Sequence, residues 1–275
     1  MSRNRRTGGA LLSIGTTILV VVAVVAIVGP ALTPLDPSAQ ELPLRLARPT
    51  LAHPFGLDEL GRDILARVLA GARISFLVGL VVVTVSASVG TMLGAIAGYF
   101  GGAIDDVISR VIDVLLAFPG LLLAIALVAV LGPSLRNVLF ALAIVGWVGY
   151  ARLVRGQVLR AREFEYVQAA RALGASTSRI LWRHVIPAAL PAVVVQATLG
   201  MAAAIIGEAA LSFLGLGVQP PTPSWGSMLN AGRGHLLDAP HLTVFPGLAI
   251  ALVVLGLNFV GDGLRDLTDP KQVQR

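Results

Sequence analysis

The sequence contains no cysteine, and all but one of its 21 basic residues are arginines. The missing cysteines exclude disulfides, thiolate nucleophiles and thiolate metal sites. The single lysine, Lys271, belongs to no G-x-x-x-x-G-K-[ST] motif, so the chain cannot hold and hydrolyse ATP by the P-loop route. No aromatic-plus-basic surface accompanies the formal charge of +6, which argues against a nucleic-acid partner.

Signatures of metal-dependent and nucleophilic catalysis are missing as well. The four histidines, His53, His184, His235 and His241, show no H-E-x-x-H spacing and no carboxylate four residues away that would make a recognisable metal site. No G-x-S-x-G motif occurs, and no serine is placed with a histidine inside an apolar stretch. We therefore predict no catalytic residues, no metal and no cofactor.

Long apolar stretches dominate what is present: 56% of the residues are hydrophobic and 13% are charged. The stretches are long enough to cross a bilayer as helices, which takes about 20 residues each. The sequence thus predicts an all-α integral membrane protein with six transmembrane helices. The predicted spans are residues 10–32, 74–98, 111–131, 138–159, 188–210 and 243–261.

The distribution of arginine predicts the orientation of these spans. Arg3, Arg5 and Arg6 place the N-terminus in the cytoplasm, and an even number of spans returns the C-terminus to the same side. From Arg152 to Arg183 there are seven arginines against two glutamates, as expected for a cytoplasmic loop. The loop after the first span carries acidic and basic residues together, which is a weaker signal for the opposite side.

Small residues and prolines predict how the chain is organised. The proline-rich loop after the first span indicates an extended connector, followed by a short helix near LGRDILARVLAGAR. Span one is then an accessory helix, and spans two to six form the working core. Within span two, Ser86, Gly90, Gly94 and Gly98 recur every fourth residue, so one helix face can approach another backbone closely.

Two acidic residues lie at membrane depth, where charge is expensive. Asp113 begins span three and can reach the cytoplasmic headgroups. Glu208, followed by Ser212 and Phe213, lies near the outer end of span five, where it lines a cavity or caps the next segment; these three are candidates for the pathway or gate. The glycine- and proline-rich stretch after them predicts short helices folded back on the external surface, with Trp225 at the membrane interface.

The stretch EYVQAARALGASTSRILWRHVIP, from Glu165 to Pro187, interrupts the apolar pattern with a helix, a break and a second helix. Tyr166, Ala169, Ala170 and Leu173 form a small apolar stripe at helical spacing. Gly174 can end the first helix in a left-handed conformation, Ser176 or Thr177 can cap the second, and Pro187 stops or kinks it. Physics alone allows two interpretations, an interfacial helix whose arginines meet anionic lipid or a knob for a soluble partner.

This stretch resembles the EAA loop of permease subunits of ATP-binding-cassette importers, whose pattern is E-A-A, three residues, Gly, nine residues and I-x-L-P. Here Gln168-Ala169-Ala170 is followed by Gly174 at the same spacing, and His184-Val185-Ile186-Pro187 closes the stretch. Gln168, His184 and Ile186 stand where the pattern has glutamate, isoleucine and leucine.

Two more stretches resemble the C-type permeases of dipeptide, oligopeptide and nickel importers: HPFGLDELGRDILARVLAGARISF before span two and EAALSFLGLGVQPPTPSWGSML after span five. The resemblance implies a type I importer transmembrane fold, with a five-helix core plus an N-terminal helix. It implies a cytoplasmic N-terminus and first helix (1–33), an extracytoplasmic loop (34–72), a permease domain (73–263) with a coupling loop (160–187), and a cytoplasmic tail (264–275). The residues it implies for coupling to an ATPase are Tyr166, Gln168, Ala169, Ala170, Leu173, Gly174 and Pro187.

The resemblance also implies a function and partners. The chain would be a non-catalytic permease in a bacterial cell membrane, paired with a second, homologous permease, two ATPase subunits and an extracytoplasmic substrate-binding protein. Di- or oligopeptides are the expected substrates, and nickel remains an alternative through His235 and His241. A secondary carrier or channel without ATPases, and an assembly or anchoring protein, are the rival functions.

Overall fold

The computed structural model describes residues 2–32 and 36–268, and most of them belong to helices. Pro34, Lys271 and the rest of the predicted tail from residue 269 lie outside the described residues, as do the side chains of Arg3, Arg5 and Arg6. The helices are α1 (Ser2–Leu32), α2 (Ile64–Phe100), α3 (Gly102–Leu116), α4 (Gly120–Leu131), α5 (Leu135–Ala161), α6 (Glu165–Ala172), α7 (Thr177–Ile180), α8 (Ile186–Phe213), α9 (Trp225–Gly232) and α10 (His241–Thr268).

Among the described residues, five stretches are helical, long and apolar enough to cross a membrane, and a bent pair makes a sixth. The five confirm the predicted first, second, fourth, fifth and sixth spans. The prediction of one continuous third span at 111–131 is wrong, because α3 and α4 meet at an angle of 85°. Pro119 lies at this bend and explains it. The proline ring cannot continue a helix, and it disfavours helical geometry at the preceding residue, Phe118.

The second span begins earlier than predicted. Helix α2 starts at Ile64, so the separate short helix expected near LGRDILARVLAGAR is wrong, and most of its residues form the first turns of α2. The start is fixed by Asp63, whose carboxylate accepts a hydrogen bond from the Ala66 amide at 2.8 Å. No proline follows Asp63 before the apolar stretch, and the single glycine there, Gly71, is tolerated inside the helix, so the two predicted elements are continuous.

The glycine stripe on α2 packs against the backbone of α5, as predicted. A Cβ atom on Gly90 would lie 2.5 Å from the Trp147 carbonyl oxygen, and one on Gly94 would overlap Ala151. Positions increase together along both helices, so α2 and α5 run parallel. Their ends meet where Arg162 Nη1 donates to the Gly98 carbonyl oxygen at 3.3 Å. The arginine-containing stretch from Glu165 to Pro187 also lies at this end of the bundle, which we therefore call the basic end.

Helix α1 lies at the periphery, which agrees with its predicted accessory role. It runs antiparallel to α10, and the two backbones approach at Gly15 and Gly256. A Cβ atom on Gly15 would lie 2.7 Å from the Gly256 carbonyl oxygen. Much of the remaining surface of α1, including Val20 and Ile27, is exposed apolar surface suited to lipid.

The end of the bundle opposite the basic end is closed by residues 36–63 together with α9. Residues 36–63 are not the extended connector that was predicted: they fold around Asp58, which accepts from Arg62 Nε at 2.7 Å. Trp225 is only 1% exposed, so its predicted position at the membrane interface is wrong. Its indole Nε1 donates to the Val68 carbonyl oxygen of α2 at 2.9 Å, which satisfies the polar group away from the interface.

Candidate functional site

The candidate site is the stretch from Glu165 to Pro187, which we call the docking segment. Its predicted helix, break and helix are confirmed. Helix α6 ends at Ala172, and Gly174 follows with φ of +79°, in the left-handed region that suits glycine. The Ser176 hydroxyl then accepts a hydrogen bond from the Arg179 amide at 3.4 Å and caps α7.

The second helix does not stop at Pro187, so that part of the prediction is wrong. The chain is helical from Thr177 to Phe213 and forms one membrane-length element. A π-helical turn over Leu181–Val185 precedes the proline, and the Ile186 amide donates to the Leu181 carbonyl oxygen five residues back. The wider turn rearranges the hydrogen bonds just before the residue that has no N–H, so the helix passes through it.

Helix α6 turns one side inward and leaves the predicted stripe uncovered. Val167 is completely buried, in a cluster that includes Ile180 and Val185. On the other side Leu173 is 88% exposed, and Tyr166 is exposed as well. The remaining predicted residues are also accessible: Gln168, Ala169, Gly174 and Pro187 are exposed and Ala170 is half-buried.

One arginine of the docking segment, Arg171, ties it to the end of α2. The Arg171 guanidinium lies 5.7 Å from the centroid of the Tyr99 ring, and its Nη2 donates to the Tyr99 hydroxyl at 3.5 Å. Sequence reasoning missed Tyr99, because the contact joins residues 72 positions apart and no local pattern marks it. The segment is thereby attached to α2 as well as to α8, with which it is continuous.

Ion pairs attach helix α3, the first half of the bent pair, to α5 near the same end. Arg155 of α5 binds Asp105 through two hydrogen bonds, the longer of them 2.7 Å from Nη2 to Oδ2. Asp113, predicted to face the headgroups, is exposed and pairs with Arg152 at 3.1 Å. The arginines at the end of the fourth span therefore meet acidic partners on α3.

Of the three residues proposed for a pathway or gate, two lie in contact with each other and the third lies apart. Glu208 is completely buried, and its Oε1 accepts from the Ser212 hydroxyl at 2.6 Å. The Ser212 oxygen in turn accepts from the Val218 amide at 3.4 Å, which ties the end of α8 to the following loop. Glu208 Oε2 has no hydrogen-bonding partner among the described residues. Phe213 is separate from this pair and is exposed.

A cavity of about 300 Å³ opens between α2, α4, α5 and α8. Its walls are mainly apolar, and its polar groups come from Ser86, Tyr150 and Gln196, none of which was predicted for the pathway. Gly207 lines the cavity, whereas its neighbour Glu208 does not. No local sequence pattern marks these side chains as cavity residues, because Tyr150 and Gln196 come together only when α5 packs on α8.

The histidines considered for nickel have other partners. His235 Nδ1 lies 3.0 Å from Asp238 Oδ2, and this hydrogen bond lowers the pKa of the Asp238 carboxyl. His241 Nε2 lies 3.4 Å from the Leu57 carbonyl oxygen. Within the described part of the chain, no three histidine, aspartate or glutamate side chains form a group that could hold a metal ion.

Residues 90–274 match the family described as "Binding-protein-dependent transport system inner membrane component". The dipeptide transport system permease protein DppC of Alkalihalophilus pseudofirmus is 49% identical over 258 residues, which cover 94% of this chain and 85% of that protein. The probable D,D-dipeptide transport system permease protein DdpC of Escherichia coli is 45% identical, with coverage of 96% and 89%. The glutathione transport system permease protein GsiD of Pectobacterium atrosepticum is 49% identical, with coverage of 81% and 74%.

The fold is shared with a solved transporter. A chain of the MetNI methionine ABC transporter in an inward-facing conformation superposes with a TM-score of 0.56, covering 74% of this chain and 94% of that one. The two sequences are 19% identical, so the likeness concerns the fold.

Proposed function

Because the chain belongs to the binding-protein-dependent transport system inner membrane components, the multi-pass permeases of ATP-binding-cassette importers, we propose that its docking segment couples it to an ATPase and that its substrates are small peptides. The permease itself is not catalytic, and an ATPase and a binding protein are its partners.

We assign the basic end to the cytoplasm. The seven arginines between Arg152 and Arg183 support this orientation, since cytoplasmic loops carry an excess of basic residues. Both Gly8 of α1 and Asp266 of α10 lie at one end of the α1–α10 pair, where a Cβ on Gly8 would lie 2.7 Å from the Asp266 Cβ. Both termini are therefore assigned to the cytoplasm, and residues 36–63 and α9 to the outside.

The observation that carries the coupling proposal is the uncovered face of α6. Leu173, the residue that caps the end of α6, is 88% exposed, while Val167 within α6 is completely buried. A solvent-exposed surface that presents a leucine together with Tyr166 and two alanines is suited to a protein partner, because large exposed apolar residues grouped together mark interaction sites. Docking there, at Tyr166, Gln168, Ala169, Ala170, Leu173 and Gly174, would let closure of the ATPase move α6, and Pro187 would lie where that motion enters α8.

The open cavity between α2, α4, α5 and α8 supports pairing with a second permease. One chain encloses only part of that cavity, so we propose that a second, homologous permease completes the pathway, with one ATPase under each permease. Tyr150 and Gln196 supply polar groups to the wall. Glu208 and Ser212 act at its outer end by holding the loop that follows α8, which faces the external binding protein.

Small peptides are the proposed substrates because the relatives named for dipeptide, D,D-dipeptide and glutathione transport share 45–49% of their residues with this chain. All three are short peptides or peptide-like molecules. The nickel alternative has no comparable support, since no three histidine, aspartate or glutamate side chains in the described part of the chain form a group that could hold a metal ion.

Co-purification with and without a change at Gly174 tests the docking assignment. Gly174→Pro is incompatible with a φ of +79°, and it removes the amide that donates to the Arg171 carbonyl oxygen at 3.0 Å. Gly215→Pro is a matched control, because Gly215 also has φ of +79° and its amide donates to Ser212 at 3.0 Å. We expect Gly174→Pro, and Ala170→Arg on the docking face, to lose the ATPase. Retention of the ATPase by both would contradict the assignment.

A further inference from the structure

A second surface at the basic end is a groove of about 550 Å³ between α2 and the start of α8. Its walls include Thr91, Met92 and Ile96 on α2 and Trp182, Leu190 and Val193 on the other side. Ile96 lies about 6 Å along the axis from the end of α2, at a rise of 1.5 Å per residue. The groove therefore lies at the level of the leaflet nearest the docking segment.

Trp182 lies at the mouth of this groove and is 68% exposed. An indole combines an apolar ring with a polar N–H and is enriched at the level of lipid headgroups. Trp225 is buried and its N–H donates to a carbonyl oxygen inside the protein, whereas the Trp182 side chain is not buried in the bundle.

Uncompensated positive charge flanks Trp182. Arg179 and Arg183 are both exposed, and neither guanidinium has an ion-pair partner among the described residues. No acidic residue occurs anywhere in α2, or between Tyr166 and Gly207 on the other wall. An apolar groove lined by Trp182, with two guanidinium groups that lack ion-pair partners in the described part of the chain within three residues of it along the same helical stretch, has the charge and shape of a receptor for an amphiphilic anion.

We propose that this groove binds an anionic phospholipid, with an acyl chain along α2 and α8 and the phosphate on Arg179 and Arg183. The planar guanidinium fork fits phosphate oxygens, and the Trp182 ring would pack at the glycerol level. The proposal rests on the cytoplasmic assignment of the basic end, because anionic lipids act on basic segments at that leaflet. The lipid would contact the π-helical turn that joins the docking segment to α8.

Quenching by brominated lipids tests the site on the assembled transporter. The complex is reconstituted in vesicles of phosphatidylcholine with a rising share of brominated phosphatidylglycerol or brominated phosphatidylcholine. The Trp182 signal is the difference between the wild-type protein and Trp182→Phe, a change at an exposed side chain. We expect brominated phosphatidylglycerol to quench that signal at a mole fraction roughly 25-fold lower than brominated phosphatidylcholine, since each of the two arginines contributes about fivefold near an anionic surface.

Two double variants show whether the two arginines cause the preference. Arg179→Gln with Arg183→Gln should abolish it, whereas Arg110→Gln with Arg160→Gln, which removes two other exposed arginines, should leave it unchanged. Native mass spectrometry of the wild-type complex gives a readout that needs no variant: we expect phosphatidylglycerol to be retained over phosphatidylcholine.

Three outcomes would overturn the proposal. Absence of quenching by either lipid means that a second permease or another protein covers the groove, and equal quenching means ordinary boundary lipid. Loss of the preference in the control double variant would mean a general effect of charge. A complex that couples ATP hydrolysis to uptake without a lipid preference contradicts this site alone, while a permease with the preference but no bound ATPase contradicts the proposed function alone.

Discussion

The Arg171 guanidinium lies 5.7 Å from the centroid of the Tyr99 ring, which joins the docking segment to the last turn of α2. Helix α2 packs along α5 through its glycine stripe and borders the cavity between α2, α4, α5 and α8. A displacement of α6 would thus reach the cavity wall by two routes, through α2 and through α8. A short helix held at two points can turn the movement of a partner into movement of the bundle.

Removal of the ring at Tyr99 should weaken coupling more than folding. We expect Tyr99→Leu to lower peptide uptake per ATP hydrolysed by about two- to fivefold, since an exposed cation–π contact contributes about 0.5–1 kcal/mol. Tyr99→Phe keeps the ring and should retain most of the coupling. The measurement is uptake and hydrolysis in the same proteoliposomes, and equal ratios for Tyr99→Leu and the wild type would rule out the α2 route.

A charge on the docking face should prevent binding of the ATPase without unfolding the permease. We expect Leu173→Asp to lower the affinity for the ATPase at least about tenfold, as for a residue central to an interface. Leu237→Asp changes an equally exposed leucine outside the docking segment and should leave the affinity unchanged. Titration of the permease with the purified ATPase gives both affinities, and equal effects of the two variants would contradict a specific docking face.

A methyl group on the glycine stripe should destabilise the bundle. A Cβ on Gly94 would overlap the backbone of Ala151, so Gly94→Ala should lower the free energy of unfolding by about 1–3 kcal/mol. Gly156 is also in a helix, yet a Cβ there meets nothing within 4 Å. Gly156→Ala should therefore be neutral or up to about 1 kcal/mol stabilising. Thermal unfolding in one detergent compares the two, and equal midpoints would argue against close α2–α5 packing.

The buried Trp225 should matter for stability, unlike the exposed Trp182. Trp225→Phe removes the donor to the Val68 carbonyl oxygen and leaves space in the core, so we expect a loss of about 1–3 kcal/mol. Trp182→Phe should change the unfolding midpoint little, because that side chain is 68% exposed. If the Trp225→Phe protein were as stable as the wild type, the buried position of Trp225 would be contradicted and a position at the membrane interface would be favoured.

Local features of the docking segment were predictable because neighbours in sequence determine them. Gly174 and Ser176 end one helix and begin the next through their own conformations and side chains. The stripe on α2 was predictable for a similar reason: every fourth residue of a helix shares a face, so glycines at that spacing permit close approach whichever helix supplies the partner.

Features that depend on the packing of distant residues were missed. The Arg171–Tyr99 contact and the Tyr150–Gln196 pair in the cavity wall form only when separate helices meet. Trp225 was misplaced because an amphipathic side chain is favoured both at an interface and in a core that accepts its N–H. Hydropathy joined α3 to α4 across Pro119, although the proline itself signalled the break.

Photocrosslinking from position 173 tests the central claim, that the docking segment binds the ATPase. The chain has no cysteine, so Leu173→Cys carries a benzophenone maleimide at one site only, and Leu237→Cys provides the control. After irradiation of the assembled transporter, we predict a covalent adduct with the ATPase subunit from position 173 and none from position 237. An ATPase adduct no more abundant from position 173 than from position 237 would contradict the account.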